Sequence, residues 1–214
     1  MKKKADLVVT HHPLFFSRLS AVRSDDVVGA QAIELIRHSI SVYSAHTSFD
    51  SAVRGTNQDL AEKLGLSEIV PMYPSESDPT AGMGRYGVYP ESLSFSAFLE
   101  KVTEVCGQSL IRPAGVPQVS VRKVALCTGA GLEFMDDAHA SGADVYLTGD
   151  VKYHEARHAY DLGMCVVDAG HYGTEILFAE NMAALLKHSL TDQVEILVSE
   201  TDINPFVTDR EQRK

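Results

Sequence analysis

Long apolar runs are missing from this sequence. Nothing approaches the roughly 18 consecutive apolar residues that a membrane helix requires, which excludes a helical span within these residues and predicts no membrane partner. Cysteine is scarce. Cys106, Cys127 and Cys165 are widely spaced, odd in number and set in apolar surroundings. That fits buried free thiols better than a disulfide framework or a zinc site. Positive charge is also in short supply: 19 Lys and Arg against 29 Asp and Glu leave a formal net charge of −10. Such a chain repels a phosphate backbone, and its basic residues form no patch beyond the first four positions, so no nucleic-acid polymer is expected as a partner. The apolar stretch Leu7–Val9 is too short for the core of a secretory signal, which predicts a cytoplasmic location.

What is present is typical of a soluble globular chain, 44% hydrophobic and 22% charged over 214 residues, enough for one domain or two small ones. Short apolar runs at Leu7–Thr10, Ser41–Ala45, Arg85–Tyr89, Lys123–Cys127, Val145–Thr148, Cys165–Asp168 and Val194–Val198 read as strands. Amphipathic segments around 27–38, 57–65, 94–106, 133–141, 152–162 and 174–188 read as helices. The alternation predicts an α/β fold with mostly parallel sheets flanked by helices. Six of the eight prolines fall between Pro71 and Pro117, and 71–118 is expected to form a small α+β insertion. The main domain is then discontinuous, 1–70 and 119–204, with a polar tail at 205–214.

Two parts of the chain echo each other. Ala5-Asp6-Leu7-Val8-Val9-Thr10 is matched by Ala143-Asp144-Val145-Tyr146-Leu147-Thr148. Each is followed by polar groups at the strand's carboxyl end, His11-His12 or Gly149-Asp150, then by a helix, then by a strand leading into His-x-x-x-acid. The acidic partners are Asp50, four residues after His46, and Glu175, four after His171. If both units lay in one sheet, their carboxyl ends would meet at the edge where open α/β folds bind ligands.

His11 and His12 stand where a strand stops, and Pro13 ends the ladder so that both rings can turn to one cavity. Adjacent histidines also occur as solvated loop pairs. Asp50 by itself reads as a helix cap ahead of Val53–Leu64, and His46 as either a ligand or a hydrogen-bond support for one. Glu175 gains from a helix dipole without any metal. Together, His11, His12, Asp50, His171 and Glu175 are too many for one closed tetrahedral site. They suit two divalent ions about 3.5–4 Å apart, and the mixed N/O set favours zinc, manganese, iron or cobalt. Asp150, His154 and His46 are candidates for proton transfer, although Asp150 and His154 also fit a helix cap and an exposed helical histidine. Thr128-Gly129-Ala130-Gly131 lacks the Walker lysine and reads better as a turn than as a phosphate cradle.

These residues resemble one family: the YbgI-like dinuclear-metal proteins, called GTP cyclohydrolase type 2 homologs. The matching pieces are Ala5–Phe15 (ADLVVTHHPLF), Val42–Asp50 (VYSAHTSFD), Asn57–Leu66 (NQDLAEKLGL), Gly142–His154 (GADVYLTGDVKYH), Val166–Glu175 (VVDAGHYGTE) and Asp202–Phe206 (DINPF). The resemblance implies two metal ions held by His11, His12, Asp50, His171 and Glu175, with Glu175 as a bridge. It also implies a homohexamer whose sites face an internal cavity, and a hydrolase acting on a small molecule, such as a purine nucleotide opened at C8 or a phosphoester. A non-catalytic metal-binding, regulatory or chaperone-like protein is the alternative. Family members carry an N-terminal segment with a further strand, helices and a Trp-Asp-Asn-like motif ahead of the strand that ends in His-His-Pro. Here Met1–Lys4 leads almost directly into that strand and tryptophan is absent, so an unpaired strand edge is expected there.

Overall fold

The computed structural model describes residues 4–108, 110–190 and 193–206, and the chain divides into two compact units, Met1–Phe49 and Asp50–Lys214. In the first, strand β1 (Leu7–Thr10) is followed by helix α1 (Val27–Arg37) and strand β2 (Ser41–Ser44). The strands pair in parallel, Leu7 opposite Ser41 and Thr10 opposite Ser44. Asp26 caps α1, its carboxylate accepting from Gly29 N at 2.7 Å, as expected for an acid just ahead of an apolar periodic run. A short helix, α2 (Thr47–Asp50), follows His46.

The second unit is built on a six-stranded sheet. Its elements run α3 (Thr56–Lys63), β3 (Ser67–Pro74), β4 (Gly82–Ser94), α4 (Phe95–Cys106), β5 (Arg112–Gly115) and β6 (Ser120–Leu126), then a 3₁₀ turn (Leu132–Phe134) leading into α5 (Met135–Ala140). After them come β7 (Val145–Thr148), α6 (Tyr153–Leu162), β8 (Cys165–Asp168), α7 (His171–Glu175) and α8 (Phe178–Leu190). Strand order is β3-β4-β6-β7-β8-β5. The centre, β6-β7-β8, is parallel; β3, β4 and β5 join antiparallel.

The α/β class read from the sequence therefore holds, with a mixed rather than mostly parallel larger sheet. β3 and β4 form a hairpin around residues 75–81, where Asp78 accepts from Thr80 N at 2.9 Å, and hairpin strands must pair antiparallel. β3 contains two prolines and was not expected to be a strand; β5, beginning Arg112-Pro113, was also missed. Both are edge strands, where proline is tolerated.

Alternation along the central strands sorts the core onto two faces. Val124, Leu126, Val145, Leu147, Cys165 and Val167 pack with Leu60 of α3, Leu64 just after it, and Phe98, Val102 and Cys106 of α4. Ala125, Tyr146 and Val166 pack on the other face with Met135 and Ala138 of α5 and Ala159 of α6. A sheet covered on both faces explains why β7 and β8 are continuous apolar runs. Arg85 is wholly buried. Its guanidinium donates to the carbonyls of Ala52, Gly82 and Gly84 and to Gln58 Oε1, tying α3 to β4.

Two expectations change. No strand forms at Val194–Val198, where Val194 and Leu197 are about half exposed; an apolar run with no face to bury gains nothing from pairing. The single helix expected over 174–188 begins earlier, at His171, and is interrupted between Glu175 and Phe178. The polar tail expected at 205–214 lies, from residue 207 onward, outside the described residues. Among those residues no helix is long and apolar enough to cross a membrane.

Candidate functional site

The echo seen in the sequence is a structural echo. β1-α1-β2 and β7-α6-β8 are both right-length strand–helix–strand units with parallel strands matched over four residue pairs. They lie in separate sheets, which corrects the expectation of a single sheet edge. Each unit gathers histidine chemistry in its own way.

In the first unit the chain leaves β1 at His11 and β2 at Ala45-His46, so three imidazoles collect beyond adjacent parallel strand ends. Ring centroids are 5.0 Å apart for His11 and His12, 5.1 Å for His11 and His46, and 5.2 Å for His12 and His46. One ring nitrogen from each lies within 4.8 Å of the others. Pro13 and the Thr10 hydroxyl, which donates to the His12 carbonyl at 2.8 Å, shape the turn. His11 is buried, His46 partly so and His12 exposed. Phe16 stands edge-on to His46, with centroids 6.2 Å apart.

In the second unit, β6, β7 and β8 end at a common edge. Gly149 N donates to Gly129 O at 2.8 Å and Ala169 N to Thr148 O at 2.9 Å. The buried Thr148 hydroxyl accepts from Gly131 N at 3.0 Å. These bonds lock the loops after the three strands together. On that base His171 opens α7 and meets two carboxylates: Nε2 lies 3.1 Å from Glu175 Oε1, and Nδ1 lies 2.8 Å from Asp150 Oδ2. The four-residue spacing puts His171 and Glu175 one helical turn apart. The hydrogen bond to Glu175 raises the His171 pKa to about 9 against the opposing effect of burial, with Asp150 adding to the rise. Asp150 has φ +58, a left-handed conformation that Asp tolerates better than most residues.

Asp50 is buried and accepts a bond from the Thr56 hydroxyl. Asn57 braces it, donating to the Asp50 carbonyl at 3.1 Å and accepting from Thr128 N at 2.9 Å. Helix α3 is capped at Gly55, so Asp50 does not cap it. His154 sits on α6, exposed, with its ring edge-on to Tyr153 at 5.5 Å. Among the described residues it joins no group of three or more metal-capable side chains. The cysteines are buried and free, and burial pushes Cys106 and Cys127 up to about 12 and Cys165 up to about 11.

Sequence reasoning passed over two contributors. Gly129, read as part of a structural turn, has φ +68, and a Cβ there would lie 2.5 Å from Glu175 Oε1 and 3.4 Å from His171 Nε2. The turn thus floors the His171–Glu175 pair. Asp168, read only as a strand end, is buried and binds the loop backbone beside Asp150 and beside His171. Glycine and aspartate at strand ends are so common that neither carried a distinguishing signal.

Comparison with known proteins agrees with this architecture. The family model described as Duf34/NIF3 (NGG1p interacting factor 3) matches residues 1–205. A protein of Streptococcus pneumoniae named GTP cyclohydrolase 1 type 2 homolog is 34% identical over 214 residues, covering 96% of this chain and 79% of that protein. Its namesake from Clostridium perfringens is 33% identical over 202 residues, covering 94% and 77%. A solved Bacillus cereus protein related to NIF3 superposes with a TM-score of 0.89 at 23% identity, covering 97% of this chain and 84% of its own, which shows the shared fold. On the length of these matches, the chain belongs to the Duf34/NIF3 family.

Proposed function

We propose that this protein holds two divalent metal ions through His11, His12, Asp50, His171 and Glu175, and is a metal-dependent hydrolase of a small anionic substrate. The observation that supports this reading is that the ligands His11 and His12 converge with His46 beyond two strand ends, their ring nitrogens within 4.8 Å of one another, which leaves His46 beside them to support a ligand or carry a proton. The donor chemistry fits. Imidazoles with carboxylates and no thiolate suit zinc, manganese, iron or cobalt better than calcium or magnesium.

The chain's own groups divide the work. Asp150 holds Nδ1 of His171, which fixes the ring and aims Nε2 at Glu175, as second-ring-nitrogen bonds do for metal-binding histidines. Asp150 is also half exposed and lines a cavity of about 540 Å³ with Arg112, Lys152 and Glu133. A carboxylate so placed can take a proton from water, and the two cations can face a phosphate. Bound divalent ions would supply hydroxide by lowering the pKa of water toward about 7. The substrate class is a purine nucleotide or a phosphoester, whose negative charge Arg112, Lys152 and the bound ions would have to offset against the carboxylates of Glu133, Asp150 and Glu155 on the same wall. The same reading includes a cytoplasmic homohexamer without nucleic-acid or membrane partners.

Elemental analysis of the chain purified without chelator or affinity tag tests the proposal, with His12→Ala and Glu175→Ala alongside. About two ions in the wild type and fewer in each variant are expected. No bound metal, even after reconstitution with zinc, manganese or iron, would overturn it. Retained metal in a nucleotide and phosphoester screen with no turnover would remove the hydrolase part and leave a binding or regulatory protein.

A further inference from the structure

Asp168 ends β8 and is 3% exposed. One carboxylate oxygen, Oδ2, accepts from Val151 N at 3.2 Å and from the Arg112 guanidinium; the other, Oδ1, accepts from Gly170 N at 2.9 Å. Val151 follows Asp150 and Gly170 precedes His171. A single buried side chain therefore grips the backbone immediately beside each member of the Asp150–His171 hydrogen bond. Arg112 pairs with Asp168 in register across β5 and β8, and its guanidinium also donates to the Val151 carbonyl at 3.2 Å. Val151 is thus held at both its N–H and its carbonyl. Asp150 needs this grip because its φ of +58 is one that a non-glycine residue leaves readily when its neighbours are released.

We propose that Asp168, seated on Arg112, is a positioning residue: through Val151 N and Gly170 N it sets the Asp150–His171 hydrogen bond and the direction in which His171 Nε2 faces Glu175. An aspartate that merely ended a strand would need to bind only the residues just after it, whereas this one spans from the loop after β8 to the loop after β7. The consequence for ion affinity rests on the metal-binding reading above. The hydrogen bond itself belongs to the metal-free chain.

The test uses the full chain. In metal-free wild type, proton NMR should show a downfield, hydrogen-bonded ring N–H resonance of His171, assigned by its loss in Asp150→Asn. In Asp168→Ala that resonance should shift toward the solvent-exposed position or vanish, while Asp161→Ala, whose partner Arg157 is on the exposed face of α6, should leave it in place. Cobalt affinity should fall roughly 10- to 100-fold in Asp168→Ala, the usual effect of removing an outer support of a ligand. The Asp150→Asn/Asp168→Ala double variant should bind no more weakly than Asp150→Asn alone, because both act through one bond. An unchanged His171 resonance in Asp168→Ala, or fully additive losses in the double variant, would overturn the proposal. Should Asp168→Ala fail to fold, Arg112→Gln takes its place: a shifted or broadened resonance supports the proposal and an unmoved one overturns it. If the wild type binds no cobalt, the metal-binding reading fails, and the NMR comparison still decides the role of Asp168.

Discussion

The two strand–helix–strand units share a backbone plan and differ in almost everything that surrounds it. β7 and β8 are buried along their whole length inside a six-stranded sheet. β1 and β2 form a two-stranded sheet in which Leu7 is 52% and Tyr43 59% exposed. The histidine chemistry differs in parallel. In the buried unit, His171 carries its own counter-charges, Asp150 and Glu175; in the exposed one, His11, His12 and His46 face each other. One plan thus carries two arrangements: a buried frame that sets an imidazole between two carboxylates, and an open one that gathers three imidazoles.

The largest expected effect comes from testing the burial difference directly. Leu147→Ala should cost about 2–5 kcal/mol, because the side chain is wholly buried and leaves a cavity. Leu7→Ala, in the first strand of the exposed unit and 52% exposed, should cost under about 1 kcal/mol. Urea titrations of the two variants read the difference. Equal losses would break the comparison and show that β1 is covered in solution.

A smaller effect separates backbone strain from the site. Gly129 and Gly142 both have positive φ, +68 and +74, but a Cβ at Gly142 meets nothing within 4 Å while one at Gly129 meets Glu175. Alanine at either should cost about 1–2 kcal/mol from the left-handed conformation. Only Gly129→Ala should also weaken zinc binding, since Glu175 must leave its place to make room. Zinc titration beside thermal melts checks this; equal zinc affinity in both variants would remove Gly129 from the site.

Much of this was legible in the sequence because its signals were local. The parallel strands were read with their correct limits at Leu7–Thr10, Val145–Thr148 and Cys165–Asp168, where apolar runs end on polar residues. The His-x-x-x-acid spacing foretold the His171–Glu175 contact. What the sequence hid was non-local. β5 exists through β8, more than fifty residues further along the chain, and both it and β3, which pairs with its hairpin neighbour β4, carry prolines that argue against strands. The apolar run at Val194–Val198 reads as a strand and finds no partner. Gly129 acts only through the approach of Glu175, 46 positions later by chain numbering, and Asp168 acts through loops that the sheet brings together.

The smallest predicted effect tests whether the buried unit's histidine is held by its own carboxylates. The folded pKa of His171, about 9, lies above its ordinary value of 6.5, chiefly through Glu175. Between those values the folded chain keeps a proton that the unfolded chain has released, so folding binds a proton and stability falls as pH rises. The contribution is complete below about 6.5, the ordinary histidine value, and is lost as pH climbs through about 9. Thermal melts of metal-free wild type from pH 6 to 10 should therefore decline across that window more steeply than those of His171→Gln, which keeps a hydrogen-bonding side chain without the titrating proton. Parallel curves would mean that Glu175 and Asp150 do not hold the imidazolium in solution. A steeper wild-type curve would also predict that zinc, which needs the neutral ring, competes with this proton and binds more tightly as pH approaches 9.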